Sequence, residues 1–185
     1  PETLAVTPVA MDKPNEKVMW GSQMTLNKGV FWYASDGGLM WFDRTRDRFV
    51  MVPGAPQGKS IDAFDFDRKG IWLATEDGLS HYHLANQRLV LDRSVDAEHG
   101  WPSLRAVDMD VDCFGRVWIF SIDGLWRFDP APGTFYHVGL QNGLANGEFG
   151  RGYALLPSGY LYAATNGGVV GFDPDKIDPR PMAPT

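Results

Sequence analysis

The chain has 185 residues, 44% of them hydrophobic and 22% charged, a balance that argues against disorder. Its net charge of −6, with no basic stripe, argues against nucleic acid and against a strongly anionic membrane surface as partners. No apolar run approaches the ~18 residues needed to span a bilayer, no signal peptide is visible, and the single Cys113 allows no internal disulfide, which leaves the compartment open.

In chain order, the first segment with strand character is LAVTPV (4–9), whose Pro8 suits a sheet edge. Residues 17–26 follow as a weakly alternating strand. GVFWYASDGGLMWFD (29–43) then reads as a hairpin, and after the turn-rich DRTRDR a further strand begins at Phe49. The series recurs. Residues 61–67 alternate, with Phe64 and Phe66 facing away from Asp65 and Asp67; IWLATEDGLSHYH (71–83) is the hairpin, and Leu89 opens the next strand. Residues 104–112 alternate likewise, with Val107, Met109 and Val111 opposite Asp108, Asp110 and Asp112. GRVWIFSIDGLWRFD (115–129) follows, then DPAPGT and a strand from Phe135. The last series is 150–156 and GYLYAATNGGVVGFD (159–173). No stretch of twelve residues keeps a helical period without a Gly or Pro break.

The four hairpins superpose without gaps. An aromatic stands at Trp32, Trp72, Trp118 and Tyr162, a hydroxyl at Ser35, Thr75, Ser121 and Thr165, and a turn glycine at Gly38, Gly78, Gly124 and Gly168. The aromatics are 40, 46 and 44 residues apart, the length of one four-stranded propeller blade. Asp36-Gly37, Asp77-Gly78, Asp123-Gly124 and Asn166-Gly167 are expected to supply the positive φ of tight turns. One such sheet would expose apolar surface on both faces, and neighbours must cover it. The expectation is therefore an all-β fold, a β-propeller of four four-stranded blades, with repeats at about 17–57, 58–100, 101–145 and 146–177. Residues 1–10 are expected to supply a strand of a neighbouring or closing blade. Prolines 179, 181 and 184 argue against a central strand in the tail, so 178–185 reads as a linker to a following domain. The absent start Met and the Pro-rich end favour an arc of a larger propeller over a small closed ring.

The repeat resembles the two-component regulator propeller repeat, roughly D-x-x-G-x-[LVI]-W-[LIV]-[GA]-T-x-x-G-[LV]-x-x-[FY]-D, here DCFGRVWIFSIDGLWRFD (112–129) and DRKGIWLATEDGLSHYH (67–83). Residues 143–177 are similar to the closing blade that precedes an immunoglobulin-like domain in such proteins. The chain departs from the pattern at Phe120, His83 and Leu26. The resemblance implies a periplasmic sensor: the outer part of a bacterial receptor with a β domain, a membrane helix and an output module, often a histidine kinase, with several members linked to carbohydrate fragments. It also implies the remaining blades and the following β domain of the same receptor as partners, and a homodimer as one assembly.

Candidate chemistry is sparse. Residues 108–115 (DMDVDCFG) resemble a calcium loop, but the glycine stands at loop position eight instead of six, so Asp67 and Asp112 are assigned to capping the turns before Gly70 and Gly115. His81 and His83 share one strand face without a third ligand and are expected at half-exposed positions; His99 and His137 are isolated. Cys113 has no nucleophile signature, and the repeated hydroxyls read as structural. No metal, cofactor or catalytic residue is expected. Propeller ligands usually bind where loops enter the innermost strands. Those loops (20–22, 59–62, 101–105 and 146–151) carry Trp20, Lys59, Trp101, Arg105, Glu148 and Arg151, suited to stacking on a sugar ring and gripping hydroxyls or a carboxylate. For Trp20 and Trp101, packing between blades is the competing role. The leading expectation is a ligand-sensing module, not an enzyme. The alternatives are a metal-dependent propeller lyase, which needs a His at the channel mouth, and a protein-docking scaffold, which needs an exposed apolar patch.

Overall fold

A computed structural model of the chain describes residues 7–12, 20–144, 146–156, 158–177 and 180–181. The fold is all-β: four small sheets follow one another around a common hub as four propeller blades. The first blade comprises β1 (Ala10–Met11), β2 (Gly21–Asn27), β3 (Val30–Ser35), β4 (Gly38–Asp43) and β5 (Arg48–Met51). The second holds β6 (Ala63–Phe66), β7 (Ile71–Thr75), β8 (Gly78–Ala85) and β9 (Arg88–Asp96). The third holds β10 (Ala106–Val111), β11 (Val117–Ser121), β12 (Gly124–Asp129) and β13 (Thr134–Val138). The fourth holds β14 (Phe149–Leu155), β15 (Leu161–Thr165) and β16 (Gly168–Phe172), while β17 (Arg180–Pro181) returns to the third. Within each blade the strands pair antiparallel in chain order, so β2, β6, β10 and β14 line the hub.

The chain ends depart from expectation. Residues 4–6 lie outside the described residues, 7–9 are irregular, and Ala10–Met11 pair in parallel with β5 of the first blade rather than with a neighbouring or closing blade. Arg180–Pro181 pair with β13 of the third blade, and the fourth sheet has three strands among the described residues. An outer strand leaves an open edge, which a short terminal segment can join without matching the blade's register.

The hairpins show why the repeat takes this form. The turn residues are 36–37, 76–77, 122–123 and 166–167, and the residue after each turn opens the next strand. The positive φ falls there, at Gly38 (121°), Gly124 (126°) and Gly168 (129°): as expected for Gly124, but one residue after the expected pairs Asp36-Gly37 and Asn166-Gly167 in the first and fourth hairpins. The repeated hydroxyl holds that glycine's carbonyl: Ser35, Thr75, Ser121 and Thr165 donate to Gly38, Gly78, Gly124 and Gly168 at 3.2, 3.4, 3.0 and 3.2 Å. A Cβ at Gly78 would collide with the Val95 carbonyl of β9, so only glycine fits.

Packing is between blades. Three buried apolar clusters fill the three inter-blade spaces, each taking the repeat aromatic from one blade and inner-strand residues from the next. Trp32, Trp72 and Trp118 are 5%, 3% and 0% exposed, whereas Tyr162, the same slot on the fourth blade, is 43% exposed beside Val169 at 74%. On the opposite flank of the fan, Met24, Leu26 and Phe31 are also exposed. Because both faces of an internal blade are covered, the acidic residues that alternate along β6 and β10 are at least partly withdrawn from water: Asp65, Asp67 and Asp108 are half-buried. Asp110 and Asp112 are buried.

Polar latches join neighbouring inner strands. Gln23 Oε1 accepts from Phe64 N at 2.8 Å, Asp65 Oδ2 from Val111 N at 2.7 Å, and Asp108 Oδ2 from Gly152 N at 3.1 Å. Each satisfies a backbone donor on a hub edge strand that the blade's own ladder leaves unpaired.

Candidate ligand site at the hub

The connections into β2, β6, β10 and β14 open at one end of the hub, the upper end, together with the hairpin turns. Trp20 is 77% exposed, and its backbone is tied to Asp36: Trp20 N donates to Asp36 Oδ1 and Asp36 N to Trp20 O, both at 3.1 Å. Lys59 Nζ lies 2.5 Å from Asp77 Oδ2 on the surface. Glu148 accepts from the Asn166 amide, and Asn166 N donates to the Glu148 carbonyl. Arg105 and Arg151 are exposed, with no hydrogen-bonded carboxylate among the described residues. Both act electrostatically on Asp62.

Trp101 is a correction. It is 3% exposed and packs edge-on against Phe135, centroids 5.8 Å apart, in the core between the second and third blades. The single 3-10 turn at Ala97–His99, capped by Asp96, folds the connection back, and Trp101 N donates to Asp96 O at 2.8 Å. That return drives the indole inward, away from any ligand.

Below the rim is an acidic floor. Asp62 is buried and accepts from Ser60 Oγ at 3.3 Å; burial raises its pKa, opposed by Arg105. Deeper, Asp65 of β6, Asp108 and Asp110 of β10 and Tyr153 of β14 meet where three blades converge. Burial pushes Asp65 up to about 6 against the N–H of Val111 and Phe66, with Asp108 and Asp67 adding repulsion. Burial, then the Asp65 charge, pushes Asp110 up to about 7, while the Tyr153 hydroxyl works the other way. Burial and the carboxylates together raise Tyr153, which keeps its proton and donates. Asp110 Oδ2 has no hydrogen-bond partner among the described residues. A cleft of about 460 Å³ opens beside this hub between the third and fourth blades, lined by Asp123, His137, Gln141, Asn146 and Glu148.

The arrangement sets donors (Lys59, Arg105, Arg151) above acceptors (Asp62, Asp65, Asp108, Asp110). A ligand carrying many hydroxyls both donates and accepts, and so complements both layers. Among the described residues no group of three or more His, Cys, Asp or Glu is placed to hold a metal ion. Sequence reasoning missed Asp62 and Tyr153 and gave Asp65, Asp108 and Asp110 no place at the mouth. The alternation of Asp along β6 and β10 was visible, but the convergence of three blades was not.

The opposite, lower end carries the turns between the first and second strands of each blade. Asp67 Oδ1 accepts from Lys69 N and Gly70 N, and its Oδ2 from Trp72 Nε1; Asp112 Oδ1 accepts from Phe114 N and Arg116 N, and its Oδ2 from Trp118 Nε1. The assigned turn-capping role is thus met, and each carboxylate also anchors the repeat tryptophan. His81 corrects the half-exposed expectation. It is buried against Trp72, its Nε2 3.2 Å from Asp67 Oδ2 and its Nδ1 3.0 Å from Asp92 Oδ2, while Asp92 Oδ1 also meets His83 Nδ1 at 2.6 Å. A bulge between His81 and Tyr82 brings Asp92 between the two imidazoles. Cys113 is exposed and free.

No family model and no curated protein matches the chain. Among solved structures it is similar to extracellular domains from two B. thetaiotaomicron systems described as hybrid two-component. One is BT4673 (TM-score 0.68, 13% identity, 89% of this chain and 24% of that one); the other is BT3049 (TM-score 0.67, 17% identity, 93% and 24%). It is also similar to PorZ of Porphyromonas gingivalis, a surface component of the type-IX secretion system (TM-score 0.59, 15% identity, 83% and 26%). The chain thus spans about a quarter of the length of each of these structures, and the likeness at this identity is one of fold.

Proposed function

We propose that this chain is a ligand-sensing, extracytoplasmic propeller module of a bacterial two-component or related signalling receptor. The observation that carries the reading is the match, over most of the chain, to extracellular domains of two hybrid two-component systems. The layered donors and acceptors of the hub support carbohydrate as the ligand class, held by Arg105 and Arg151 at the rim, Lys59 and Glu148 beside them, and Trp20 for stacking on a sugar face. Binding acts by population shift, favouring one arrangement of blades that further domains pass on. The bare Tyr162 flank supports further blades of the same design in the intact receptor, since every internal copy of that slot is buried against the next blade.

The test is calorimetric titration of the protein with a panel of neutral oligosaccharides, paired with measurement of receptor output. Micromolar binding that Arg105→Ala and Arg151→Ala each weaken about tenfold is expected, one lost charge-assisted contact apiece. Absence of binding across the panel, or binding indifferent to both arginines, sinks the carbohydrate reading.

A further inference from the structure

The lower end of the blades carries a cleft of its own. A cavity of about 920 Å³ lies at the lower end between the second and third blades, within the volume range of small-ligand sites. Its floor is Trp72 and His81, fixed by Asp67; its rim carries Lys28, Arg68 and Lys69, and Phe114 forms a wall. The charge of this cleft is unbalanced in a specific way. Both carboxylates that line it are occupied. Asp67 is filled by two backbone N–H groups, the Trp72 indole and His81, and Asp112 by two N–H groups, the Trp118 indole and Arg116 Nε. Burial alone would raise Asp67, but the N–H of Gly70 and Lys69 and then His81 outweigh it, so it stays ionised and committed.

The three rim cations, in contrast, have no hydrogen bond or ion pair from their side chains among the described residues, although the chain as a whole is acidic. They come from turns of two successive blades, Lys28 from the β2–β3 turn and Arg68 and Lys69 from the β6–β7 turn. Phe114 in the β10–β11 turn is 68% exposed, lines three adjoining clefts, and has the Arg116 guanidinium 4.9 Å from its ring centre. An exposed aromatic that is also backed by a cation presents a flat face to a ring whose substituents are negative.

We propose that this lower cleft is a second binding site, distinct from the hub mouth, for a small ring-bearing anion such as a carboxylated or sulfated sugar. Lys28, Arg68 and Lys69 take the anionic groups and Phe114 takes the ring. The proposal does not rest on the signalling reading, because it concerns the opposite end of the blades and uses none of the rim residues assigned there.

The test titrates the protein with a sulfated disaccharide, a uronate-containing disaccharide, the corresponding neutral disaccharide and inorganic pyrophosphate, at low and at moderate salt. The anionic sugars are expected to bind at least tenfold more tightly than the neutral one, and to weaken severalfold as salt rises. Arg68→Ala with Lys69→Ala should lower affinity for both anionic sugars and pyrophosphate by about tenfold or more. Phe114→Ala should lower affinity for the anionic sugars several-fold while leaving pyrophosphate within twofold. Arg105→Ala, at the hub mouth, should leave all of these unchanged. All the substituted side chains are exposed, so unchanged thermal melting separates lost binding from lost fold. Equal affinity for neutral and anionic sugars, indifference to salt, or undiminished binding by the Arg68/Lys69 variant overturns the proposal. Anion binding that Phe114→Ala leaves intact for every probe overturns the ring contact.

Discussion

Asp110→Asn is expected to stabilise the protein at pH 8 and to remove much of its pH dependence. The unfolded carboxyl titrates near 3.8, the folded one at about 7. A carboxyl with a raised folded pKa holds a proton that the unfolded chain releases. Its contribution is therefore full below pH ~4 and is lost as pH rises through 7. At 1.36 kcal/mol per unit, the rise corresponds to about 4 kcal/mol for Asp110 taken alone. Asp65, raised to about 6, adds a loss of about 3 kcal/mol over a lower window. The two repel, so the pair together costs less than that sum, on the order of 3–6 kcal/mol between pH 4 and 8. Asparagine mimics the protonated form: its oxygen still accepts from Tyr153, and it carries no charge to repel Asp65. Urea unfolding at pH 5, 6, 7 and 8 reads the effect directly. The wild type should lose several kcal/mol across that range, and the variant should lose less than half as much and exceed the wild type by about 2–4 kcal/mol at pH 8. A variant that is less stable at pH 8, or whose slope equals that of the wild type, would refute the account of Asp110 as a carboxyl whose burial holds its proton.

Three further outcomes follow from individual contacts. Asp112→Ala strands the Trp118 indole, two turn N–H groups and Arg116, and should cost about 3 kcal/mol or more in urea unfolding; a loss under about 1 kcal/mol would mean the anchor is replaced by water. Trp101→Ala should cost about 3–5 kcal/mol as a core truncation, whereas Trp20→Ala should change stability by less than about 0.5 kcal/mol and alter only binding. Gly78→Ala drives a Cβ into the Val95 carbonyl and should lower the melting temperature by several degrees; Gly159→Ala, with open space around it, should lower it less, by the cost of its positive φ alone.

The blades were legible because each repeat position answers a local need that recurs. The Ser or Thr before each hairpin turn closes on the carbonyl three residues on, and in the second and third blades Asp67 and Asp112 cap the turn before a Gly; spacing pointed to a structural role for both, though not to the hold of these carboxylates on the Trp72 and Trp118 indoles. What stayed hidden depends on how one copy meets the next. The sequence of β9 does not announce the bulge that pulls Asp92 between His81 and His83. The stretch after Asp96 reads as an open loop carrying an available Trp101, yet one capped turn buries it. Tails are harder still: Ala10–Met11 and Arg180–Pro181 pair with outer strands whose edges accept whatever segment is near.

The same contrast separates structural from functional polarity. A repeat makes every copy equivalent, so a polar group used identically in several copies is explained by the blade. A polar group present in one copy needs another account. The slot opposite the repeat aromatic holds Thr25 in the first blade, Asp65 in the second and Asp110 in the third. Asp65 latches the next blade through Val111 N, but Asp110 meets a tyrosine hydroxyl and leaves one oxygen unpartnered. Apolar substitution there would remove a buried charge and strengthen the inter-blade packing. Holding the blades together does not account for a buried carboxylate with one oxygen unpartnered, and the ligand proposed for this hub would give that oxygen a partner.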